Sequence, residues 1–150
     1  MRTSRLFLIT GVSVVFLFGL ACGGKGFSVV ESPKDSKVVS VENQKLVLTY
    51  HFTDPIKESS VILNSTLFVK TNISDSIQGS ISFPDRQTLK FTSAQPVDSI
   101  FPNGEGEVIV RMVGSSPFKL WITDINDNPI DGNRDGDYGG DYRAAYAFRI

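Results

Sequence analysis

Apolar and polar residues alternate along most of the chain after residue 38, and this period of two constrains the fold more than any other feature. In residues 45–52 the alternation gives one face to four apolar side chains, Leu46, Leu48, Tyr50 and Phe52. His51 falls on the opposite face, which we expect to be exposed. Further runs of this kind occupy residues 66–71, 80–83, 88–92, 107–113, 118–123 and 144–150. The pattern therefore predicts a succession of short β-strands.

Turn-forming sequences separate these runs, among them Asp54-Pro55, Pro84-Asp85 and Gly114-Ser115-Ser116-Pro117. No window has the periodicity of an amphipathic helix. Short strands between turns are typical of an all-β sandwich or barrel, here residues 38–150. In the 118–123 run, alternation directs Phe118, Leu120 and Ile122 to the core and Trp121 to the other face.

The N-terminus has the anatomy of an export signal. Arg2 and Arg5 precede an apolar stretch from residue 6 to 20, and the small residue Ala21 follows. A positive start, an apolar run and a small residue before the cleavage point are typical of a signal peptide, here residues 1–21. An uncleaved anchor helix is the alternative, although the run is short for a membrane span.

Cys22 is the only cysteine, so the chain has no intramolecular disulfide. The sequence Gly19-Leu20-Ala21-Cys22 resembles the lipobox of bacterial lipoproteins, with Gly19 where leucine is usual. The resemblance implies a lipidated Cys22, a flexible tether over residues 22–37, and a cell-envelope location on the periplasmic side of the outer membrane or at the cell surface. The alternative is an ordinary secreted protein with a free thiol.

The charge balance and the histidine count exclude several functions. Removing Arg2 and Arg5 with the signal peptide leaves 13 basic against 16 acidic residues, a net charge of −3. This mildly acidic balance argues against a nucleic-acid partner. With His51 as the only histidine and Cys22 acylated, neither a Ser-His-Asp triad nor a His/Cys zinc site can be assembled. We therefore predict no enzymatic activity.

Residues 124–141 form the strongest candidate site, because they contain six of the sixteen acids. In 131–137, oxygen-bearing side chains recur at every second position and Gly136 is sixth, as in the opening half of an EF-hand calcium loop. Tyr142 stands at position twelve, where that loop has glutamate. The predicted calcium ligands are Asp124, Asp127, Asp131, Asn133, Asp135, Asp137 and Asp141. The alternative is a solvated polar turn.

Three segments, residues 51–61, 87–97 and 124–132, resemble in order and spacing the bacterial Ig-like domain of the S-layer-protein type. They correspond to its Phe-Ser-x-Pro, Thr-Leu-x-Phe-x-Pro and Asp-x-x-Gly-Asn motifs. Ser93 stands where the second motif commonly has proline, and Asp127 where the third commonly has glycine. The resemblance implies an Ig-like antiparallel β-sandwich of about seven strands, used for adhesion, assembly or spacing.

Together these features predict a lipid-anchored envelope module that contacts the membrane through its anchor and a protein or extracellular-matrix partner through its surface. Two alternatives stay open. A small envelope enzyme, or an enzyme accessory, would have a cleft with convergent acids of raised pKa. A passive structural spacer would have neither a cleft nor a metal site.

Overall fold

The computed structural model describes residues 26–30 and 39–149. The predicted signal peptide, Cys22 and most of the predicted tether lie outside the described residues. Within these ranges, no helix has the length and apolar character needed to cross a membrane.

Eight strands and two very short helices make up the described chain. The strands are β1 (Val29–Val30), β2 (Val39–Glu42), β3 (Lys45–Phe52), β4 (Leu67–Thr71), β5 (Gly79–Asp85), β6 (Thr88–Pro96), β7 (Glu105–Met112) and β8 (Tyr142–Arg149). A 3₁₀ turn spans Glu58–Ser60, and helix α1 spans Val97–Ile100.

The strands form two antiparallel sheets. One has the order β1-β3-β6-β5, with β2 also paired to β3, and the other has the order β4-β7-β8. Both β1 and β2 pair with the same edge of β3 and together correspond to strand A. The two sheets then have the strand orders ABED and CFG, as in constant-type Ig sandwiches. The predicted β-sandwich is confirmed. The count is eight rather than about seven because the first strand is divided into two short pieces.

The core lies between the sheets and is built from the alternating faces of the strands. Leu46, Leu48, Tyr50 and Phe52 of β3 are all buried, and His51 is exposed, as the alternation predicts. The expectation is wrong for Val47, which lies on the same face as His51 and is fully buried. Phe91 of β6 is fully buried and lies opposite Leu48 in the ladder. Stacked pairs close the core at its two ends, Phe27 with Phe52 and Phe101 with Phe148.

The predicted strand over residues 118–123 is wrong. Phe118 is 81% exposed and Leu120 is 52% exposed, and only Ile122 of the three apolar residues is buried. Lys119 has a φ of +55°, outside the extended range, and its N–H donates to the carbonyl of Ser116 in a turn. Alternation requires continuous extended backbone, so this turn removes the basis of the predicted faces. Trp121 is half-buried.

One end of the sandwich, here called the loop end, collects the connections 53–66, 86–87 and 113–141. The opposite end carries residues 43–44, 72–78 and 97–104. The N-terminal part of the described chain enters at the loop end. The Thr53 hydroxyl donates to the carbonyl of Gly26 at 3.4 Å, and the N–H of Asp131 donates to the carbonyl of Phe27.

Candidate functional site

All seven predicted calcium ligands belong to the connection between β7 and β8, at the loop end. This connection is not a free loop, because short bridges tie it to the sandwich. The N–H of Ile122 donates to the carbonyl of Val113, and the N–H of Ile130 donates to the carbonyl of Ile122. The acids consequently lie in three separate places: the turn 124–128, the loop 131–137, and Asp141 beside β7.

Asp124 closes a tight turn over residues 124–128. Its side chain is buried, and its Oδ1 accepts the N–H groups of Asn126 and Asn128 at 2.8 and 2.9 Å. Its Oδ2 accepts Asn128 Nδ2 at 2.9 Å. Burial opposes ionisation, but the bonds from Asn128 and Asn126 outweigh it and lower the pKa of Asp124. Asp127, in the same turn, is exposed and forms an ion pair with Lys57.

Asp141 ties the end of the connection to β7. Its Oδ2 accepts Arg111 Nε at 2.7 Å, and its Oδ1 accepts the N–H of Gly114 at 3.2 Å. Arg143 lies 3.4 Å from the same Oδ2. Burial raises the pKa of Asp141, but the bonds from Arg111 and Gly114 outweigh it, so the pKa lies below its usual range.

We expect Asp141 to make stability depend on acid pH. The pKa is about 3.9 in an unfolded chain and lower in the folded one, so its stabilisation is complete above about pH 4. It is lost as the pH falls through the folded pKa. Asp141→Asn should lose about 1 kcal/mol less between pH 6 and pH 2.5 than the unsubstituted chain. Urea unfolding at both pH values measures this, with exposed Asp75→Asn as the matched control. Equal losses in Asp141→Asn and the unsubstituted chain would contradict the assignment.

The third place is the loop 131–137, which follows the bridge at Ile130. Asp131 is 4% exposed, and its Oδ2 accepts the N–H of Gly136 at 3.0 Å. Its Oδ1 is buried and has no hydrogen-bond partner within the described chain. Asp135 accepts Asn133 Nδ2 at 2.6 Å and the N–H of Asp137 at 2.9 Å. The Asp137 and Asn133 bonds lower the pKa of Asp135.

The burial of Asp131 is enforced by the entering chain. A Cβ placed on Gly26 would lie 2.9 Å from Asp131 Cβ and 3.0 Å from Asp131 Oδ2. Glycine therefore allows the backbone to pass directly over the carboxylate. The loop reverses at Gly136, whose φ is +94°, a conformation that favours glycine.

The arrangement can offer oxygen ligands, but the acids do not converge on one point. Among residues 26–30 and 39–149, no three His, Cys, Asp or Glu side chains are grouped closely enough to hold a metal ion. Asp124, Asp127, Asp135 and Asp141 have protein partners. Among the described residues, Asp131 is the one acid with a buried carboxylate oxygen that lacks a hydrogen-bond partner, and Asn133 and Asp135 follow it in the same loop. The 131–137 loop is therefore the remaining candidate metal site.

A groove on the loop end was not predicted from the sequence. It measures about 400 Å³, and its lining includes Lys57, Ile62, Lys119, Leu120, Trp121 and Asp127. Ile62 belongs to the β3–β4 connection and Leu120 to the β7–β8 connection, so the groove exists only after both have folded. The sole signal in the sequence was the apolar run around Trp121, which we assigned to a strand.

We compared the sequence with protein families and with curated proteins, and no family and no curated protein matches it.

Proposed function

We propose that this chain is a lipid-anchored Ig-like module of the cell envelope, of the S-layer-protein type, stabilised by calcium at the 131–137 loop. Its work is non-covalent: adhesion, assembly or spacing, with a protein or extracellular-matrix partner. The observation that carries the calcium part is the buried Asp131 carboxylate, whose Oδ1 has no hydrogen-bond partner among the described residues.

A buried oxygen without a partner is costly, and a cation would supply the missing interaction. The N–H of Gly136 occupies Asp131 Oδ2 and leaves Oδ1 for a ligand. Asn133 and Asp135, within hydrogen-bond distance of each other, supply the next oxygens along the loop. Carboxylate and amide oxygens are hard ligands, which favour calcium over softer metals.

The direction of the pKa shifts supports a non-catalytic role over the alternative of a small envelope enzyme. A carboxyl that acts as a general acid near neutral pH needs a raised pKa. Of the described carboxyls with a clear shift, Asp85, Asp124, Asp135 and Asp141, each has a lowered pKa. These groups are held ionised by their hydrogen bonds, as in structural turns.

We expect calcium to raise the melting temperature of the full chain in non-ionic detergent. Extracellular calcium modules have dissociation constants down to about 0.1 mM. At about 2 mM calcium, such a site would stabilise the folded state by about 1.8 kcal/mol, or about 7 °C. The melt is followed with millimolar calcium and again with excess chelator.

Substitutions at the loop make the test specific. Asp131→Asn with Asp135→Asn should abolish the calcium shift, and Asp75→Asn, an exposed acid at the opposite end, should retain it. In chelator, Asp131→Asn alone should be no less stable than the unsubstituted chain, because it removes the buried charge and can keep an acceptor for Gly136. No shift in the unsubstituted chain would overturn the calcium site and leave the passive spacer.

A further inference from the structure

The loop end carries an unusual share of exposed apolar side chains. Of the eight large hydrophobic residues exposed in the described chain, five lie in its connections: Ile62, Phe118, Leu120, Ile125 and Tyr138. Phe118, at 81% exposed, is the most exposed of all eight. Ile62 and Leu120 line the same groove, together with the half-buried Trp121. Apolar residues collected in this way mark a surface that contacts a partner or a membrane.

The point at which the chain enters the domain favours a membrane. Gly26 is held at the loop end by Thr53 and packs against Asp131. Cys22 precedes Gly26 by four residues, and an extended chain spans at most about 3.6 Å per residue. A lipid on Cys22 would therefore hold Gly26 within about 14 Å of the bilayer surface. Of the described residues, Gly26 is the nearest to Cys22 along the chain.

The chemistry of the groove fits a lipid headgroup region. Lys119 is exposed at its lining and provides a cation for lipid phosphates, beside the ion pair that Lys57 forms with Asp127. Trp121 adds an aromatic ring with a polar N–H, a combination favoured at the boundary between lipid and water. Phe118 and Leu120 extend from the same turn into solvent, where acyl chains would remove them from water.

We propose that the loop end docks on the phospholipid surface to which Cys22 anchors the chain, with Phe118, Leu120 and Ile125 inserted at the interface. The inference rests on the lipid anchor of the proposed function. Docking turns the opposite end, with residues 72–78 and 97–104, away from the membrane. A tethered domain is thereby held in one orientation instead of moving freely on its tether.

The sole tryptophan, Trp121, reports on this contact directly. The full-length lipidated chain is reconstituted into vesicles of phosphatidylethanolamine and phosphatidylglycerol, with and without bromine on the acyl chains. We expect bromine to reduce Trp121 emission. Phe118→Ser with Leu120→Ser should restore that emission. Ile73→Ser, which changes an apolar residue of intermediate exposure, 63% against 81% and 52%, at the opposite end, should leave the quenching intact.

Flotation of the vesicles on a density gradient separates the two proposals. Chain that floats with the vesicles and is quenched supports docking. Chain that floats, and stops floating after Cys22→Ser, but is not quenched retains its anchor and overturns docking, which leaves the loop end free for a protein partner. Chain that does not float overturns the anchor and the docking inference with it.

Discussion

Replacing Phe91 by alanine is expected to destabilise the fold by about 3–5 kcal/mol, because it removes a large, fully buried side chain from the core. Phe91 is fully buried on β6, the strand that lies between β3 and β5. It lies opposite Leu48 on one side and Ile81 on the other. The hydrogen-bonded ladders on both sides hold the backbone in place, so the space left by the ring cannot close easily.

The control for this prediction is the same chemical change at Phe118. Its ring is 81% exposed, and Phe118→Ala should alter stability by no more than about 0.5 kcal/mol. Urea unfolding of both variants in detergent gives the two values. Small domains are stable by about 5–15 kcal/mol, so Phe91→Ala should shift the urea midpoint by a large fraction of its value. A substantial loss in Phe118→Ala would contradict the exposed position of Phe118 in the turn at residues 116–119.

The longer strands could be predicted from the sequence, because each buries one face against the core and this burial imposes an apolar period of two. In β3 the predicted apolar face and the predicted bounds, 45–52, agree with the structure. The 118–123 run has the same alternation without being a strand. Its pattern has no structural basis, because the turn at Ser116 and the left-handed backbone at Lys119 interrupt the extended chain.

The sequence predicts which segment carries the candidate site, but it does not predict how the acidic side chains of that segment are arranged. The composition of residues 124–141 identified the acidic connection. Which acids would be left for a ligand depended on partners distant in the chain. Asp127 pairs with Lys57, 70 residues earlier, and Asp141 pairs with Arg111, 30 residues earlier. Such pairings follow from the stacking of loops at the end of the sandwich, which alternation and turn propensities do not specify.

The groove at the loop end also depends on contacts between residues that are distant in the chain. Its apolar residues include Ile62, from the β3–β4 connection between the two sheets, and Leu120, from the β7–β8 connection within one sheet. The run around Leu120 alternates as a strand would, which predicted other neighbours for it, and nothing in the sequence places Ile62 beside it. Phe118 and Leu120 are exposed at this end of the sandwich, and under the docking proposal the membrane would remove them from water.

Replacing Gly114 by alanine should cost about 3 kcal/mol or more, because the added methyl group would overlap backbone atoms that cannot move aside separately. A Cβ at this position would lie 1.8 Å from the carbonyl oxygen of Gly140 and 2.5 Å from that of Ile130. Either segment must shift, and Gly140 precedes Asp141, which accepts the N–H of Gly114. Gly104→Ala is the matched control, since Gly104 has a φ of +74° but open space around it. It should cost only about 1–2 kcal/mol, the backbone penalty of a left-handed alanine.

Urea unfolding compares the two variants, and equal losses would show that the β7–β8 connection is not packed against Gly114 as described. A larger loss in Gly114→Ala, together with a weakened calcium shift, would mean that the close approach at Gly114 also holds the 131–137 loop in its binding geometry.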